Sequence, residues 1–175
     1  MTKTLAAIAA ALLTLTLTSC GNGDDSKAAS NISADIMANQ DKKTNTASQL
    51  FTVKKKQADC IGKGLVDKIG VEQLQKYKVL DKNLKAGKDI TTVKMTKGDA
   101  GSATDTLFGC ADIPAMVKKA AKSSGNIPAS IAPCVDKALS EKGLRKVFTE
   151  VFQGEQQQAQ KDLVAPLMKC AQPQS

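Results

Sequence analysis

This sequence predicts an all-α protein, a small helical bundle of two similar halves, each stapled by one disulfide. Three observations carry that expectation. Apolar residues recur three and four positions apart in most segments, the period of a helix face. Beyond Cys20, four cysteines stand at 60, 110, 134 and 170, an even number that reads as two bridges wherever the chain meets an oxidising compartment. And the stretch around Cys60 and Cys110 recurs around Cys134 and Cys170.

The first element is a targeting segment rather than part of the fold. Lys3 supplies a positive start, and Leu5 to Leu17 is apolar but shorter than the roughly 20 residues a spanning helix needs. Leu17-Thr18-Ser19-Cys20 follows. An aliphatic residue, two small residues and a cysteine resemble the lipobox of bacterial lipoproteins. The resemblance implies that residues 1–19 are a cleaved signal peptide. Cys20 then becomes the first residue of the mature chain and the site of lipid attachment. It further implies a cell-membrane location, lipid-anchored and facing the extracytoplasmic side, with the membrane itself as a partner. Two or more acyl chains hold such an anchor stably. Residues 20–29 then read as the lipidated cysteine and a flexible tether, because Gly, Asn, Asp, Ser and Ala dominate them.

The body divides at about Ala111–Ile113 into a first helical half, 30–112, and a second, 113–175, packed on the first. Ile32, Ile36 and Met37 predict a short helix between Ser30 and Asn39. Thr52 is the candidate cap of a helix from Val53, with Phe51 as its hydrophobic staple. Ile61, Leu65 and Ile69 mark that helix's inner face, and Gly70 ends it. Val71 to Tyr77 is a second short helix. Residues 79–93 are the one place where minor β-structure is expected, at Val79-Leu80 and Ile90 to Val93. Thr96 and Asp99 open a helix whose stripe is Ala100, Ala103, Leu107 and Cys110.

Pro114 suits the first turn of the next helix, which runs to about Lys122, and Ser123 to Ala129 is a break. Ser130 is the candidate cap of a helix carrying Cys134 and ending at Gly143. Leu144, Val147, Phe148, Val151 and Phe152 then form the cleanest amphipathic helix in the chain. A last helix from Glu155 to Cys170 holds Pro166, which interrupts it.

The repeat bears on the bridges. Cys60-Ile-Gly-Lys-Gly-Leu aligns with Cys134-Val-Asp-Lys-Ala-Leu, and Leu107-Phe-Gly-Cys110-Ala with Leu167-Met-Lys-Cys170-Ala. Four cysteines allow three connectivities. The repeat favours the pairing within halves, Cys60–Cys110 and Cys134–Cys170.

Composition narrows the chemistry. The chain has no histidine, which removes Ser-His and Cys-His relays and imidazole metal ligands. Aromatic residues are only 3%, too few for base-stacking platforms, so no nucleic-acid partner is expected. No phosphate loop, dinucleotide fingerprint, nucleophile elbow or S-x-x-K motif is present. The expectation is a non-enzymatic protein without metal or cofactor.

A net charge of +8 and the basic runs Lys54-Lys55-Lys56 and Lys118-Lys119 have two readings. One is a solvated helical surface; the other is attraction to anionic envelope material. The stripe Val147, Phe148, Val151, Phe152 is core in most helices, and is also the candidate binding groove. The body resembles, in general terms, uncharacterised extracytoplasmic helical lipoproteins of Gram-positive type. The first functional expectation is a binding module of the cell envelope, its partner an envelope protein or an anionic envelope polymer. The alternative is a carrier of an apolar small molecule or lipid between the helical halves.

Overall fold

A computed structural model describes residues 23–42, 52–124, 128 and 130–171. Among them the secondary structure is all helical: α1 (Gly23–Lys42), α2 (Lys55–Ile69), α3 (Val71–Lys76), a 3₁₀ turn (Ile90–Thr92), α4 (Lys97–Cys110), α5 (Ile113–Ser124), α6 (Ala132–Ala138), α7 (Glu141–Phe152) and α8 (Gln156–Ala171).

The tether expectation is corrected by α1. The helix is already formed at Gly23, and Ala28 is fully buried. Ala28, Ile32 and Ile36 follow one another at intervals of four, so the apolar stripe extends upstream through residues that look like linker by composition. Asp24 and Asp25 lie in the first turn, where carboxylates complement the helix dipole. Helix α1 runs antiparallel to α2. Ser33 Oγ donates to Asp59 Oδ1 at 2.6 Å, and a Cβ at Gly62 would collide with the Ala29 carbonyl oxygen. Glycine is what allows that close approach.

Helix α2 starts two residues later than expected. Lys54 rather than Thr52 is the boundary residue, and its N–H donates to Gln57 Oε1 at 2.8 Å. The proposed staple, Phe51, lies outside the described residues. Gly70, at φ 87°, separates α2 from α3. The 79–93 segment is not a strand. Its β-character is one isolated bridge, Leu80 to Ala86, and Ile90–Thr92 is a 3₁₀ turn capped by Asp89, whose Oδ1 accepts from Thr91 N–H at 2.8 Å. The segment still packs inward, with Val79, Leu80, Leu84, Val93 and Met95 all buried.

Helix α4 opens as expected: Thr96 is its N-cap and accepts from Asp99 N–H. The second half differs in its boundaries. Ile131, not Ser130, precedes α6, and α6 stops at Ala138. Ser140 caps α7, which places Gly143 in the first turn of α7 instead of at the end of α6.

Both bridges join the expected cysteines. Cys60 pairs with Cys110 and Cys134 with Cys170, each with a Cα–Cα distance of 5.6 Å. The helix order in the two halves is parallel in one respect. Each bridge ties a residue inside an earlier helix, α2 or α6, to the C-terminal end of a later one, α4 or α8. The halves nevertheless share hydrophobic contacts. Phe152 of α7 belongs to the core cluster built by α1, α2, α3 and α4, and Phe148 packs against it. Met95 N–H donates to the Phe152 carbonyl at 2.8 Å.

Candidate apolar cavity

Five helices and one loop line an apolar cavity of about 190 Å³ that opens at one side. Helix α1 lines it with Ile32 and Ile36, α2 with Ile61 and Leu65, α4 with Ala103 and Leu107, α5 with Ile113, and α7 with Phe148 and Phe152. Val79, Ala86 and Ile90 close it from the loop between α3 and α4. The reason for the space is visible in the side chains. Position 103 on α4 is alanine, so the inner face of that helix recedes opposite the two rings of α7. Phe148 lies edge-on to Phe108, with centroids 5.8 Å apart at 81°, and 6.3 Å from Phe152. Edge-to-face geometry is one of the favoured aromatic arrangements.

The mouth is polar. Asp35, Asn39 and Gln40 of α1 face Lys88, Asp89 and Thr91 of the loop. Most of these groups are committed. Gln40 Oε1 accepts from Val53 N–H at 2.6 Å, and Asn39 Nδ2 donates to Asp35 Oδ2 at 3.0 Å. Thr91 donates from its hydroxyl to Asp89 Oδ1 at 2.7 Å.

The two halves are clamped beside the cavity by Arg145 of α7. Its guanidinium reaches Asp105 on α4 and Glu141 on its own helix, both at 2.8 Å, and lies 4.6 Å from the Phe108 centroid. Farther along α7, Thr149 and Thr104 share a hydroxyl contact at 3.0 Å across to α4.

Of the candidate groove residues, Phe148 and Phe152 line the cavity, whereas Val147 and Val151 do not. Helix α7 is flanked by α4 and by α8, so its apolar stripe serves two neighbours and only part of it meets the void. Cys20 lies outside the described residues. The sequence reading missed the contributions of α1, α2, α4, α5 and the loop. Ile32 and Ile36 were visible as a helical pair, but nothing local to the sequence joins them to Phe148.

A second, larger depression, about 560 Å³, lies between α1 and α2 and is lined about equally by polar and apolar surface. Its four α2 charges are paired, Lys55 with Asp59 and Lys63 with Asp67, and Asp25 of α1 also lines it. The Lys55 and Ser33 hydrogen bonds hold the Asp59 carboxyl below its ordinary value.

One buried carboxyl stands apart, between α7 and α8. Glu150 is 8% exposed and its Oε2 has no hydrogen-bond partner among the described residues. Burial pushes its pKa up, and the neighbouring Asp162 adds to the effect. Asp162 is held down by Lys146, whose Nζ lies 2.7 Å from Oδ2 and 3.8 Å from Glu150 Oε1.

Among the described residues no group of three or more acidic or cysteine side chains is arranged to hold a metal ion. No helix among them is long and apolar enough to cross a membrane. Comparison of the chain with protein-family models, with curated proteins and with solved structures gives no match.

Proposed function

We propose that this chain is a lipid-anchored, extracytoplasmic, non-enzymatic binding protein whose ligand is a small apolar molecule or the end of an acyl chain. The cavity between α1, α2, α4, α5 and α7 is the observation that carries the reading. Dry apolar cavities of comparable size bind hydrocarbons, a void of roughly 150 Å³ taking up benzene. By that measure 190 Å³ accommodates a ring or about eight carbons of a chain. The carrier function thereby moves ahead of the envelope-partner reading.

The anchor assigned to Cys20 has a geometric consequence in this proposal. Helix α1 is formed from Gly23, only three residues beyond Cys20. Three residues reach at most about 11 Å. The body would thus stand on the membrane instead of swinging above it.

Binding to an envelope protein or an anionic envelope polymer is the second reading. Its support is the exposed Lys54 and Lys56 beside the Lys55–Asp59 pair, and the chain's positive charge.

Native mass spectrometry of the chain purified from a bacterial envelope tests both levels of the proposal. The expected result is a diacylglyceryl adduct on a chain beginning at Cys20, with a co-purified lipophilic mass released on unfolding. An unmodified Cys20 would remove the anchor. A body that carries no lipophilic mass and takes up none when offered short alkanoates would remove the ligand reading.

A further inference from the structure

We infer that the ligand is an anionic amphiphile, its hydrocarbon end in the cavity and a carboxylate or phosphate at the mouth beside Lys88. The inference rests on the cavity being a binding site, as proposed above, and adds the charge of the head group.

The mouth singles out one group by elimination. Six polar side chains line it, and five already have partners. Gln40 is held by Val53 N–H and donates to the Ile36 carbonyl at 3.4 Å. Asn39 and Asp35 are bonded to each other, and Asp89 and Thr91 to each other. The Lys88 ammonium is the group that neither hydrogen-bonds nor ion-pairs among the described residues. A ligand whose tail fills the cavity therefore meets an uncommitted cation. An ammonium has three donors and no acceptor, so the complementary head group accepts hydrogen bonds and carries negative charge. The surroundings of Lys88 strengthen the field. Lys78 and Lys85 are exposed on the same loop, and the Lys88 N–H is bonded to the Lys78 carbonyl at 2.7 Å. Asp35 and Asp89 oppose it. The Asp89 carboxylate is turned to the 3₁₀ turn it caps, and the Asp35 carboxylate accepts from Asn39 along α1.

Three probes of one chain length separate the possibilities: octanoate, 1-octanol and octylamine at pH 7. They are titrated into the full chain in phospholipid nanodiscs, with empty nanodiscs correcting for partition. The readout is the methyl NMR shifts of Ile36, Ile61 and Ile90. Octanoate is expected to bind on the order of tenfold more tightly than 1-octanol, with octylamine weakest. K88Q is expected to bring octanoate down to the alcohol's affinity while leaving the alcohol unchanged, and K88R to retain most of the preference. Equal binding of acid and alcohol, or a K88Q variant that still prefers the acid, would overturn the inference. Tightest binding of octylamine would overturn it in favour of Asp35 and Asp89 as the determinants. No saturable shift with any of the three would overturn the cavity reading itself.

Discussion

Ala103→Leu tests whether the space in the core is open and usable. Ala103 is 1% exposed on α4 and faces the cavity. Leucine adds three carbons at that wall. Burying them is worth about 0.8 kcal/mol each, or about 2.4 kcal/mol in all. Fixing the new side chain costs about 0.5–1 kcal/mol of rotamer freedom. The balance is a gain of about 1.5–2 kcal/mol, because a void with room for about eight carbons takes three without displacing its walls. At roughly 2–4 °C per kcal/mol for a chain of this size, the melting temperature should rise by about 3–8 °C. Urea titration with both bridges intact should show a higher midpoint at unchanged slope, the mark of a change in stability alone. The same variant should lose the ligand-induced stabilisation that octanoate gives the parent, since any ligand of the folded state stabilises by mass action. In a closely packed core the sign reverses, and extra carbons cost about 1–3 kcal/mol. A103L that melts lower than the parent, or that keeps its response to octanoate, would refute the reasoning.

Three other perturbations bear on the scaffold. Replacing either cysteine pair with serine should cost about 4 kcal/mol in the chain-entropy model, the loops being 50 and 36 residues apart in sequence, and chemical denaturation of each double variant measures it. Arg145→Ala removes two half-exposed ion pairs and the contact with Phe108, so a loss of about 1 kcal/mol is expected, most of it retained in a urea titration at high salt if the ring contact dominates. Glu150→Gln should stabilise the protein at neutral pH. The folded-state pKa of Glu150 is raised above 4.5, so protonation favours the folded state and stability declines as pH rises from 4.5 through the raised value. Melting temperatures between pH 4 and 8 should show that decline in the parent and a flatter profile in the glutamine variant; a parent that gains stability over the same interval would contradict the assignment.

The elements that could be read from sequence are those whose signals are local. Thr96 at the head of α4, the i, i+3, i+4 stripe of α7 and the glycine after α2 each act within one or two turns, and each appears in the fold. The bridges were readable because the repeat selected among the possible pairings. The start of α1 was hidden because Gly, Asp and Ser at 23–26 have low helix propensity, while the force that makes them helical is Ala28 and Ile32 packing against α2. The boundary between α6 and α7 was misplaced for a related reason. Gly143 resembles a helix end, but Ser140 three residues earlier offers a hydroxyl to its N–H and begins a new helix there. A cavity has no sequence signature of its own. It is space left between α1, α2, α4, α5 and α7, and of its walls only the two phenylalanines were read as a candidate groove.

The void and the bridges make sense together. On the scale of engineered cavities, about 24 cal/mol per Å³, a sealed empty space of 190 Å³ would cost about 4–5 kcal/mol, an upper figure for a pocket that opens at a polar mouth. That is a large part of the roughly 5–15 kcal/mol by which domains are stable. A chain with 3% aromatic residues has little bulk with which to fill such a space. The chain-entropy contribution of one bridge, about 4 kcal/mol, is of the same size and is obtained without occupying any volume. Cys60–Cys110 is placed to have this effect, because it locks together α2 and α4, two of the five helices that line the cavity. A fold stabilised by packing alone would be driven to collapse the space. One stabilised by constraining its unfolded chain can keep the space and leave it to a ligand, whose tail then recovers the lost contacts. The C60S/C110S variant and octanoate should accordingly act in opposite directions on the same transition, and the bridgeless protein should gain the larger fraction of its stability from the ligand.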